Sequence, residues 1–145
     1  MSINDLKQAI YELIRDDAMV KGYTGYTSID PRVYKAWPKD EVDITSTKAA
    51  YIVYLFGAQG PQVGCNGEQE GDRQIFIDVY ARVEDTAELI LEQIKALIKA
   101  NQPFEDSGNY RACIVTSNGS TTVQDSARRL WHKAATFTIE LLFLG

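Results

Sequence analysis

Two cysteines and one histidine are all that this 145-residue chain holds of the softer metal-ligating side chains. No CxxC pair occurs and no histidine is spaced for zinc, so a structural zinc site is excluded. Cys65, in a glycine-rich stretch, and Cys113, in a predicted strand, read as two free thiols rather than a disulfide. His132 stands beside Trp131 and Lys133 with no serine or cysteine nucleophile in a recognisable motif, and reads as a surface or partly packed residue rather than a catalytic one. The glycines from Gly57 to Gly71 lack GxxxxGK[ST], and no lysine follows any of them, which argues against a phosphate loop. Glu68, Glu70 and Asp72 lack the DxDxDG spacing of a calcium loop and read as a solvated acidic loop. No catalytic residue, metal or cofactor is therefore expected.

Long apolar runs are missing too. Nothing approaches the roughly 18 residues of a membrane span, and the start, MSINDLKQAI, lacks the basic-then-apolar pattern of a signal peptide, so a protein made and kept in the cytosol is expected. Positive charge is in deficit: a net charge of −5 and a pI near 4.9 disfavour general binding to phosphate backbones. Asn118-Gly119-Ser120 matches a glycosylation sequon but reads as a turn.

What is present begins with a strand that runs into a helix, QIFIDVYARVEDTAELILEQIKALIKA, from Gln74 to Ala100. Ile75, Ile77, Val79 and Ala81 alternate with polar positions, the two-residue period of a strand with one buried face. Ala87, Ile90, Leu91, Ile94, Leu97 and Ile98 then recur at steps of three and four, one stripe of a helix, with Asp85 and Glu88 spaced as a capping box. A first helix is predicted from about Ser2 to Arg15, with Ser2 and Asp5 at capping spacing and Leu6, Ile10, Leu13 and Ile14 on its apolar stripe. Gly22 and Gly25 are expected to break the chain, Ile29 to Tyr34 to be extended, and Trp37 to Lys48 to form an exposed, mobile polar loop.

Ala49 to Phe56 is apolar at both alternating sets of positions, so both faces of that strand need cover, from a helix or from another subunit. A long loop is expected from Gly57 to Gly71 and a turn from Asn101 to Asn109. Tyr110 to Thr116 reads as a strand, Asn118-Gly119 as a hairpin turn with Thr121 to Gln124 pairing back, and Ala134 to Leu144 as a last strand. Together these predict a single α+β domain over residues 1–145: a mainly antiparallel sheet with two amphipathic helices on one face. Candidate interface residues are Trp37, apolar in a polar loop; Phe76 and Tyr80, on the face of their strand otherwise marked as wet; and Arg128, Arg129 and Trp131, a basic and aromatic cluster of the kind enriched at hot spots.

The succession of LKQAIYELIRDD, the Tyr51-Ile52-Val53-Tyr54 strand between loops, QIFIDVYAR leading into ELILEQIKALI, and the terminal ATFTIELLF strand resembles the tail-terminator or tail-completion proteins of long-tailed bacteriophages and prophages, over about Ile3 to Phe143. The resemblance implies a subunit that forms a ring, commonly a hexamer, on the head-proximal end of the tail tube. There it would stop tube polymerisation and offer a joining surface to the head connector, as a virion component made in the host cytoplasm. Its partners would be copies of itself, the tube protein and the connector, with DNA passing through unbound and no membrane involved. An acidic balance suits such a channel. Two alternatives stand beside this one: another neck, head-closure or tube subunit, and a small enzyme or ligand-binding domain.

Overall fold

The computed structural model describes residues 3–38, 42–58, 62–63, 69–102, 104–106, 110–125 and 130–143, with side chains at 6–38, 42–55, 74–102, 104 and 130–138. In chain order the elements are α1 (Ile3–Arg15), α2 (Ala18–Thr24), β1 (Val33–Tyr34), β2 (Ala50–Ala58), β3 (Gln62–Val63), β4 (Gln69–Ala81), α3 (Glu84–Ala100), β5 (Phe104–Asp106), β6 (Tyr110–Asp125) and β7 (Leu130–Phe143). The strands form one sheet in the order β1-β2-β4-β7-β6-β5, with β3 paired to β4. Every pairing is antiparallel except β1 on β2. The α+β class expected from the sequence is the one observed.

The helices share one sheet face. Leu6, Ile10 and Ile14 of α1, Val20 of α2, and Ala87, Ile90, Leu91, Ile94 and Ile98 of α3 join one core with Ile52 and Tyr54 of β2, Ile75, Ile77 and Val79 of β4, and Ala135 and Phe137 of β7. Each aliphatic side chain fully removed from water there contributes about 1.5–3 kcal/mol. Two phenols anchor α1: Tyr11 donates to the Val33 carbonyl at 3.0 Å and Tyr54 to that of Lys7 at 3.1 Å. Both hydroxyls are satisfied, so burying these rings carries no unpaired donor.

Several local expectations are corrected. Gly22 lies within α2, a helix the sequence reading missed; its N-cap is Asp17, whose carboxylate accepts from the Val20 N–H, and Gly25 at φ 72° ends it. A Cβ on Gly25 would meet the Thr47 carbonyl oxygen at 2.6 Å, so glycine is needed there for space as well as for its backbone angle. The capping box at Asp85 and Glu88 does not form: Val83 is the N-cap, no side chain caps, and Asp85 sits in the first turn, where its charge still favours the helix dipole. Ser2 lies outside the described residues.

Asn118-Gly119 is not a hairpin turn. β6 runs through it and pairs with β7 on both sides, and the register slips between Thr116, opposite Phe137, and Ser120, opposite Ala135. Glycine inside a strand marks a bulge as readily as a turn. β5 occupies part of the expected turn after α3. The expected Gly57–Gly71 loop is partly strand, since β3 pairs with Gln69 and Glu70 of β4. Glu70 and Asp72 are accordingly strand residues rather than part of an acidic loop; Glu68 and Cys65 lie outside the described residues.

Candidate interaction surface on the second sheet face

The helices leave the opposite sheet face to be covered by other means, and the chain covers much of it itself. Tyr51 and Val53 of β2, Leu130 of β7 and Val42 form a second buried cluster, with Tyr34, Ile44, Leu55 and Tyr80 packed against it. The Trp37–Lys48 segment is therefore not simply an exposed loop: its two aliphatic side chains, Val42 and Ile44, are turned onto the sheet. The doubly apolar pattern of β2 is explained in large part within one chain.

Arg32 holds that segment down. Its backbone is left-handed at φ 60° and its side chain is only 2% exposed, a conformation uncommon for a residue with a Cβ. The guanidinium donates to the carbonyls of Asp43 at 2.7 Å and Ala50 at 3.2 Å, while the Arg32 N–H donates to the Asp30 carboxylate at 3.1 Å. One planar cation thus ties the covering segment to the start of β2 through backbone acceptors.

Across the middle of this face the rings line up by register. Tyr51 is opposite Tyr80, and Tyr80 is opposite His132. Neighbouring strands are about 4.8 Å apart, so paired rings standing off the sheet stack: Tyr51 on Tyr80 at 4.8 Å and 11°, Tyr80 on His132 at 4.3 Å and 9°. Tyr34 meets Tyr51 edge-on at 6.1 Å, and Trp37, 54% exposed, meets Tyr80 edge-on at 6.2 Å. Each such pair contributes about 0.5–1.5 kcal/mol beyond area burial. Both faces of the Tyr80 ring are thereby covered, by Tyr51 on one side and His132 on the other.

His132 Nε2 lies 2.6 Å from Asp78 Oδ1, which is largely buried. The pair clips β7 to β4 and orients the imidazole. In a Ser-His-Asp triad the other ring nitrogen meets a side-chain nucleophile, and no side chain is hydrogen-bonded there among the described residues. No group of three or more potential metal ligands occurs among them either. Burial, reinforced by the hydrogen bond to Asp30, pushes the Tyr34 phenol up to about 12; burial alone raises that of Tyr54, and burial is the main cause of the rise at Tyr11.

Of the sequence-predicted residues, the structure brings Trp37 and Tyr80 into contact and places Phe76, half-buried, on the same face of β4. Of the proposed cluster of Arg128, Arg129 and Trp131, the structure describes Trp131 alone. Trp131 is opposite Ala81 on the helix side, as is Lys133, whose ammonium lies 3.7 Å from Glu88 of α3, whereas His132 points the other way. Arg128 and Arg129 lie outside the described residues. Sequence reasoning missed Arg32, Asp78 and the Tyr34–Tyr51 contact; only the register, which is non-local, assembles them.

No helix among the described residues is long and apolar enough to cross a membrane. No protein-family model and no curated protein matches the chain. A solved structure does: a chain from the virion of a native gene transfer agent (GTA) particle has a similar fold, with a TM-score of 0.63 and 13% identity over 92% of this chain and 91% of that one.

Proposed function

We propose that this chain is a non-enzymatic virion assembly protein that forms a ring on the head-proximal end of a phage-type tail tube. It would stop tube polymerisation there and present the joining surface to the head connector. The observation that carries the reading is the fold likeness, over nearly its whole length, to a subunit of a gene transfer agent virion. The order of helices and strands that resembles tail-terminator proteins points the same way, and so does a sheet face built from mutually packed aromatics, with an exposed tryptophan at its margin, instead of a reaction centre. In a closed ring each subunit uses two different patches, and the margin of the sheet around Trp37 is one of them. Light scattering and electron microscopy of the purified protein test this. The expected result is a ring of defined size that binds one end of tail tubes; a monomer at every concentration that leaves tube ends growing would sink it.

A further inference from the structure

Two contacts fix the ring of His132, the one histidine of the chain. Its Nε2 lies 2.6 Å from Oδ1 of Asp78, whose side chain is only 12% exposed, and its face lies on Tyr80 at 4.3 Å and 9°. Asp78 and Tyr80 are two apart on β4 and so stand on the same side of the sheet. Held at its edge by one and on its face by the other, the imidazole cannot turn about χ2 without losing the hydrogen bond, nor swing about χ1 without losing both contacts.

What the imidazole fixes in turn is Tyr80. With Tyr51 on the opposite face at 4.8 Å and 11°, the Tyr80 ring is clamped between two others. Trp37 meets the clamped ring edge-on, at 6.2 Å and 74°. Trp37 lies between β1 and β2 in neither helix nor strand, and among the described residues Tyr80 is its one ring partner. An edge-to-face contact holds only while the two planes keep their angle, so the direction of this exposed indole depends on whether Tyr80 is clamped. A large side chain already held in one rotamer loses little freedom on docking.

We infer that Asp78 and His132 are positioning residues for Trp37: the carboxylate holds the imidazole, the imidazole holds the Tyr80 ring, and that ring presents the indole at the sheet margin in one orientation. Both act through Tyr80. This deepens the assembly reading above and rests on it for what Trp37 then meets, whereas the order of the indole is a property of the single chain and is measured apart from it.

Time-resolved fluorescence anisotropy reads that order in dilute Trp131→Phe chains, where Trp37 is the only tryptophan. His132→Ala should keep the circular dichroism and add a fast local depolarisation of the indole. Asp78→Ala should do the same, and Asp78→Asn, which can still hydrogen-bond the imidazole, should restore the slow decay; a merely structural role would move the urea midpoint and leave the anisotropy alone. Light scattering then closes a double-mutant cycle on self-association. His132→Ala should weaken it about threefold or more in otherwise native chains and less than about twofold in Trp37→Ala chains, where nothing is left to act through. An indole whose decay is unchanged by His132→Ala and by Asp78→Ala overturns the inference and spares the ring. A loosened indole with equal losses in both backgrounds also overturns it, because His132 would then act on assembly without Trp37. A wild type that stays monomeric at every concentration sinks the ring, and the anisotropy alone then upholds or overturns the positioning of Trp37.

Discussion

At the scale of single residues, the tyrosines give this protein a predictable alkaline limit. Burial favours the neutral phenol in the folded chain, so the folded values of Tyr34, Tyr54 and Tyr11 lie above the ordinary value of about 10. A group whose folded pKa is raised contributes stability that is complete below its unfolded value and is lost as pH rises through the folded one. For Tyr34 that window runs from about pH 10 to about 12. Phenolate absorbance should therefore rise in two phases, the solvated tyrosines first, and the late phase should coincide with loss of circular dichroism. A single phase near pH 10 with the fold intact would contradict it. These anchoring roles were not legible in the sequence, where a tyrosine in an apolar run looks the same whether or not its hydroxyl reaches a carbonyl.

At the scale of elements, the decisive object is the segment from Val42 to Ala49 and the arginine that pins it. Removing the guanidinium takes a donor from the buried carbonyl of Ala50 and from the part-buried one of Asp43, which water can reach; an orphaned buried acceptor costs about 1–3 kcal/mol. Arg32→Met keeps much of the volume and removes those donors. It should lower stability to urea by about 1–3 kcal/mol and speed amide exchange at residues 43–50, with protection in α3 falling only as far as global stability does. Unchanged exchange in that segment would show that it is held by its two aliphatic contacts alone. The elements with strong periodicity, α1, β4 and α3, were readable because one face of each must be apolar whatever it packs against. α2, the bulge in β6 and the start of α3 at Val83 were not, since seven residues, one glycine and an uncapped end give local signals that several structures share.

At the scale of the whole molecule, the arrangement is one-sided: a helix layer with the main core on one face, a thin cover with stacked aromatics on the other. Trp37 sits where that cover meets solvent. Trp37→Ala should leave the monomer folded, because the ring is more than half exposed and touches Tyr80 only by its edge. If the sheet margin is a subunit contact, the same variant should shift light-scattering mass from ring to monomer, with loss of tail capping; rings of wild-type size would remove Trp37 from the interface.

By itself the sequence determined which positions must be buried, and hence the main helix and strand types and the α+β class. These follow from local periodicity and from which residue types are present at all. Only the tertiary structure decided which strands are neighbours. Tyr51, Tyr80 and His132 are 29 and 52 residues apart in turn, and nothing in their local context says that β2, β4 and β7 lie side by side in that register. For the same reason Trp131 and His132, adjacent in the chain, belong to opposite faces: the pleat turns successive side chains apart, and a cluster in sequence becomes two surfaces in space.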